Sequence, residues 1–204
     1  DAMLSSMRKA QNNAQDLRDV AIVLHRHTSL VQNFSMQMRM VPVGPLFQRF
    51  HRLIRDVSKQ KNKSAKLVLD GEGTELDKKL IDELADPLTH MIRNSVDHGL
   101  EEPEERKKAG KPEEGTVWLD AYHEGSQICI RIRDDGKGLD VGRIREKAVE
   151  NGLMGREEAA RLSDADAIQL IFRPGFSTAK QVTNISGRGV GMDIVKSKIT
   201  ELKG

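Results

Sequence analysis

Two histidines, an amide and a carboxylate fall within nine residues at His90, Asn94, Asp97 and His98. On a helix turning about 100° per residue, His90, Asn94 and Asp97 share an arc of roughly 60°, with Arg93 and His98 flanking it. Such a set can hold a cation and a phosphate while offering an imidazole as base. The polar outside of a half-buried helix is the plainer reading, although asparagine is a poor helix former. The cluster points at phosphate chemistry without proving it.

Two glycine-bearing segments add to this. Asp134-Asp135-Gly136-Lys137-Gly138 directly follows a strand-like run. A carboxylate at a strand end can accept hydrogen bonds from a ligand, and the glycines let that ligand approach the backbone; an ordinary acidic turn has the same composition. Gly187-Arg188-Gly189-Val190-Gly191 leads into a helical pattern, where exposed N–H groups and a positive dipole end suit an anion. It follows a loop rather than a strand, so it is not a Rossmann fingerprint, and there is no G-x-x-x-x-G-K-[ST] phosphate loop.

The elements that must position these groups are legible from periodicity. The first forty residues lack Gly and Pro and carry Leu17, Val20, Ala21, Leu24, Val31, Phe34 and Met38 as a helical stripe, which needs a partner helix. Val41 to Pro45 breaks that pattern and marks a boundary at about residue 42. Met36, Met38 and Met40 before it read as flexible packing. A helix is expected over Leu46 to Val57, with Arg49, Arg52 and Arg55 on its solvated side. A strand follows over Lys66 to Asp70, and Thr74 and Asp77 are candidate caps for an amphipathic helix over Lys78 to His98. The charged stretch Glu101 to Glu114 reads as an exposed insertion. Thr116 to Tyr122 and Gln127 to Arg133 read as a hairpin, with Cys129 as a small apolar core residue. Helices are expected over Val141 to Glu150, Asp164 to Phe172 and Val190 to Leu202. The apolar set of the last is Met192, Ile194, Val195, Ile199 and Leu202.

Composition bounds the rest. The chain has 204 residues, enough for one core with an extension, and only 3% aromatic content, so that core must be aliphatic. A net charge of +2 offers no field that argues for nucleic acid. The single cysteine excludes a disulfide framework and fits a reducing cytosol. No run approaches the roughly 20 apolar residues of a membrane span.

In order and spacing, the three segments resemble the GHKL ATP-binding family. His90 through Gly99 resembles its N box, Asp134 through Gly138 its D-x-G-x-G box, Phe172 through Thr178 the phenylalanine-bearing start of its lid, and Gly187 through Gly191 its second glycine box. More narrowly, Arg39-Met40-Val41-Pro42, Phe47-Gln48-Arg49-Phe50, Thr74-Glu75-Leu76-Asp77, Asp86-Pro87-Leu88 and Ser186 through Asp193 are similar to motifs of the chemotaxis histidine kinases of the CheA type. The resemblance covers residues 30 to 204. It implies an α+β fold: a Bergerat-type α/β sandwich, with a mixed sheet covered by helices, preceded by a long dimerisation helix. Residues 1–42 would end a dimerisation domain, and 43–204 would form the ATP-binding catalytic domain, short of its expected last strands.

The resemblance also implies roles. Asn94 would bind Mg²⁺, and His90 would stand near the γ-phosphate as base or positioning group, with His98 a further catalytic or phosphate-side contact. Asp134 would accept from the adenine amino group, with Gly136 and Gly138 shaping the pocket. Gly187, Gly189, Gly191 and Arg188 would serve the phosphates. Asp97, Ser177, Thr178 and Val190 complete the implied nucleotide contacts. The implied reaction moves the γ-phosphoryl of ATP to a histidine on a separate phosphotransfer domain in trans. A homodimer, a CheW-like adaptor, chemoreceptors and downstream response regulators would be the partners. The location would be cytoplasmic, at receptor arrays, without membrane insertion or nucleic acid. None of the six histidines lies in an H-E-x-x-x-P phosphoacceptor setting, so the chain is not expected to phosphorylate itself, and it is expected to be part of a longer kinase. The competing reading is a non-catalytic scaffold of the same fold.

Overall fold

The computed structural model describes residues 17–18, 20–31, 34, 38–174, 176 and 191–204. Helix α1 covers 20–31, and the apolar residues around it face solvent: Leu17, Val20, Leu24, Val31 and Phe34 are all more than half exposed. Such a stripe is unpartnered among the described residues. Met38 is exposed as well, so it does not pack as expected.

The proline-marked break is itself structured. Strand β1 (Met40–Pro42) pairs antiparallel with β3 (Glu75–Asp77), a strand that periodicity did not reveal. Helix α2 (Gly44–Gln60) carries Pro45 in its first turn, where the missing N–H costs nothing. It buries Leu46, Phe47, Phe50, Ile54 and Val57 and leaves Arg49, Arg52 and Arg55 in solvent, as its stripe requires. Strand β2 (Ala65–Asp70) runs parallel to β4 (Gly115–Glu124), which pairs antiparallel with β5 (Gln127–Asp134). The order β2-β4-β5 makes a mixed sheet. The hairpin closes through Gly125 and Ser126, with Gly125 at φ +61°, as two-residue hairpin turns require.

Helix α3 (Lys78–Asn94) is capped by Asp77, whose carboxylate accepts from the Lys79 N–H at 2.7 Å. Thr74 is not a cap: its hydroxyl donates to the Ala121 carbonyl at 2.9 Å. The main core lies between the sheet and helices α2 and α3. It joins Phe47, Phe50 and Ile54 to Leu88 and Ile92, and to Leu67, Val117, Leu119 and Ala121. Ile128, Ile130 and Ile132 of β5 pack on it, so strand alternation puts Cys129 on the opposite face, opposite Tyr122. Cys129 is therefore not a core residue; it is half-buried on the outer sheet face beside Arg131.

Glu101 to Glu114 is not a plain exposed insertion. It contains helix α4 (Pro103–Lys108), and its Arg106 is wholly buried. A second apolar cluster joins helix α5 (Val141–Glu150) to the following turns through Ile144, Ala148, Leu170 and Phe176. Helices α6 (Arg156–Arg161) and α7 (Asp164–Gln169) and a 3-10 turn (Leu170–Phe172) divide a region expected to hold one helix. Helix α8 (Met192–Glu201) packs on α3 and that 3-10 turn, burying Val195 but leaving Ile194 44% exposed.

Candidate functional site

Helix α3 delivers His90 and Asn94 half-buried on one side. It does not continue to His98. At Ser95–Gly99 the chain becomes a π-turn, closed by the Leu100 N–H donating to the Ser95 carbonyl at 2.8 Å. The extra residue in that turn breaks the arc expected from about 100° per residue. Asp97 turns toward the end of α2, where Lys61 Nζ reaches its Oδ1 at 2.8 Å. His98 is largely exposed, with Nε2 4.0 Å from Asp97 Oδ2. Lys63 Nζ donates to the carbonyls of Val96, Asp97 and Leu100 at 3.0, 2.6 and 2.7 Å, tying down the open end of the turn.

His90 is held below its ordinary pKa of 6.5, first by burial and then by its neighbours Arg93 and His98. It is accordingly a neutral imidazole at pH 7. As pH falls below 6.5, the unfolded chain binds a proton that folded His90 refuses, so stability declines until the folded value is passed. A histidine NMR titration is expected to place the His90 midpoint below 6.5; a midpoint at or above it would contradict this setting.

The π-turn ends at Gly99, where two of the sequence boxes meet. A side chain at Gly99 would press on Asp134 Oδ1 at 3.1 Å, and one at Gly136 would overlap the Gly99 carbonyl. The Lys137 N–H donates to that same carbonyl at 3.0 Å. Gly136 is thus required by close approach to backbone, Gly99 is crowded by the Asp134 carboxylate, and Gly138, at φ +73°, is required by backbone conformation. Asp134 ends β5 with its carboxylate exposed, accepting only from the Gly136 N–H at 3.1 Å among the described residues.

The third segment arrives through α8. Asn94 Nδ2 donates to Met192 Sδ at 3.3 Å, next to Gly191, the residue that caps α8. With the amide nitrogen so engaged, Asn94 Oδ1 remains as an acceptor for a hard cation. Among the described residues no group of three His, Cys, Asp or Glu could hold a metal. One amide oxygen still fits Mg²⁺, which commonly takes one or two protein ligands and fills its shell with phosphate oxygens and water. Ser177, Thr178, Gly187, Arg188, Gly189 and Val190 lie outside the described residues.

Sequence reasoning missed the supports beneath these groups. Arg106 reaches Glu101, Asp135 and the Pro112 carbonyl, and Lys111 reaches Glu101 and the carbonyls of Asp135 and Gly136. Neither cation has a periodic signal, because each partner set is assembled by the turn and not by a helix face. Lys63 was equally invisible within a polar stretch.

Residues 83–204 match the family described as histidine kinase-, DNA gyrase B-, and HSP90-like ATPase. The chain is 51% identical over 190 residues to the sensor histidine kinase CheAY of Helicobacter pylori, covering 93% of this chain and 24% of that protein. It is 52% identical over 174 residues to chemotaxis protein CheA of Bacillus subtilis, covering 85% and 26%. To CheA of Treponema pallidum it is 44% identical over 204 residues, covering 100% and 24%. The chain thus spans about a quarter of the length of these curated relatives. It belongs to the histidine kinase-, DNA gyrase B- and HSP90-like ATPase family, and within that family it is CheA-like.

Proposed function

We propose that this chain is the ATP-binding kinase core of a chemotaxis two-component sensor kinase, moving the γ-phosphoryl of ATP to a histidine on a separate phosphotransfer domain. The observation that carries the reading is the convergence of three separated segments: Gly99 against Asp134 and Gly136, and Asn94 against Met192 at the start of α8. Phosphoryl transfer asks for positioning and charge neutralisation more than for covalent help. Asp134 accepts from the adenine amino group, and the Gly136 and Gly138 turn admits the base. Asn94 Oδ1 would hold Mg²⁺, which would supply charge neutralisation at the phosphates. Neutral His90 stands near the γ-phosphate as base or positioning group, with His98 beside it. Gly187 to Gly191 supplies backbone donors to the phosphates.

The partners follow the same reading. The exposed stripe of α1 serves a homodimer, with phosphotransfer in trans. A CheW-like adaptor and chemoreceptors control the kinase, and response regulators receive the phosphoryl group, at receptor arrays on the cytoplasmic side. No helix among the described residues is long and apolar enough to cross a membrane.

The test is transfer from γ-labelled ATP to a histidine-bearing phosphotransfer domain. Labelled acceptor is expected, and Asn94→Ala should lower Mg²⁺-dependent transfer by about tenfold or more, the scale of one lost interaction with a charged group. ATP binding without any labelled product would sink the kinase reading in favour of the scaffold. An indifferent Asn94→Ala would remove that residue from the metal.

A further inference from the structure

Every polar atom of Asp135, the neighbour of Asp134, is occupied. Its N–H donates to the Thr116 carbonyl at 3.2 Å, and its Oδ1 accepts from the Thr116 N–H at 2.9 Å. Its Oδ2 accepts from Arg106 Nη2 at 3.0 Å, and its carbonyl accepts from Arg106 Nη1 at 3.2 Å and Lys111 Nζ at 3.0 Å. Lys111 also donates to the Gly136 carbonyl at 2.9 Å and to Glu101 Oε1 at 2.6 Å. Arg106, with 0% exposure, completes its own set through Glu101 Oε2 at 3.0 Å and the Pro112 carbonyl at 2.7 Å.

Both cations belong to the charged segment between the π-turn and β4, and both donate to the turn that follows Asp134 as well as to Glu101. Among the described residues neither is hydrogen-bonded to the Asp134 carboxylate itself. That carboxylate is exposed and accepts only one backbone hydrogen bond, from Gly136, whose own carbonyl Lys111 holds. Its aim is therefore set by the turn, and the turn is set by the cations. A hydrogen bond to a base is directional, so a loosened turn costs that contact before it costs the phosphate contacts, which the proposed function assigns to other segments.

We infer that Lys111 and Arg106 are positioning residues for Asp134, so that the segment 101–114 sets how strongly the site prefers adenine to a purine lacking the 6-amino group. The inference rests on the assignment of Asp134 to base recognition. Lys111 is the better probe, since it is partly exposed and its removal leaves the Arg106 pairs with Glu101 and Asp135 in place.

The experiment titrates this chain calorimetrically with ADP and with purine riboside diphosphate, which carries hydrogen in place of the amino group. Lys111→Met is expected to weaken ADP by about tenfold and purine riboside diphosphate by about twofold at most, and Lys111→Arg to restore the preference. Equal weakening of both nucleotides, or no weakening of either, overturns the inference. Lys111→Gln carries the same comparison if thermal melting shows the methionine variant unfolded. Failure of the underlying assignment looks different: the unsubstituted chain would then bind both nucleotides alike, and the inference would fall with it.

Discussion

Replacing Asp134 by alanine is expected to weaken ADP binding by about a hundredfold while leaving the protein folded. The carboxylate is solvent-exposed and accepts a single backbone hydrogen bond at 3.1 Å, so little stability depends on it. On the proposed reading, what is lost is a charge-assisted hydrogen bond to the base at a site where the turn already holds the acceptor in place. Removing it leaves a donor on the ligand with no protein partner, and the loss appears in affinity. Asp134→Asn, which keeps shape and one acceptor oxygen, should fall between the two at about tenfold. Calorimetric titration reads the affinity, and a thermal melt reads the fold. An alanine variant that binds ADP as tightly as the unsubstituted chain would remove Asp134 from base recognition.

The elements that carry the site were legible because each has a single strong period. α2 and α3 show apolar stripes that the core then uses, and the alternating runs of β4 and β5 pair as a hairpin. Asp77 was readable as a cap because its chemistry is local, accepting from an N–H two residues ahead. The π-turn at Ser95–Gly99 was not. Apolar Val96 sits where an uninterrupted helix would also put an apolar residue, so the pattern continues while the backbone does not. The error lay in geometry and not in composition, and it moved Asp97 from the expected arc to Lys61. β1 and β3 were hidden for another reason. Each has three residues, too few for alternation to show, and one of them ends in a proline. Cys129 was misplaced because small apolar residues are more often inside, whereas strand parity alone decides which face it takes.

The glycines divide in the same way. Gly125 and Gly138 are required by positive φ, which the hairpin and D-x-G-x-G patterns announce. Gly136 is required by its close approach to the Gly99 carbonyl, across residues far apart in the chain, while a side chain at Gly99 would press on the Asp134 carboxylate. The sequence placed both in separate boxes, and only the fold shows that the two boxes are one surface. That contact also explains why a π-turn belongs here: it brings a backbone carbonyl up to the D-x-G-x-G turn, where the Lys137 N–H takes it at 3.0 Å.

Arg106→Met is the substitution expected to cost the most stability, about 3–5 kcal/mol, the range for breaking a buried ion pair by removing one partner. The guanidinium has no solvent exposure and donates to two carboxylates and two carbonyls. Methionine has nearly the right volume, so the loss comes less from a cavity than from groups left unsatisfied: Asp135 Oδ2, Glu101 Oε2 and the Pro112 carbonyl. Arg106→Lys keeps the charge but not the planar fork and cannot reach all of these, so it should retain only part of the stability. Acid reports on the same network. Burial alone would raise the Glu101 carboxyl, but the hydrogen bonds and charges of Lys111 and Arg106 outweigh it and hold the group below its ordinary 4.5. A carboxylate with a lowered folded pKa contributes stability that is fully present above 4.5 and is lost as pH falls through the folded value. Urea unfolding at neutral pH should therefore show the full deficit of Arg106→Met. The deficit should shrink once Glu101 is protonated, because the unsubstituted chain has then lost that pair as well. A methionine variant as stable as the unsubstituted chain at neutral pH would show that the buried cation is dispensable to the fold.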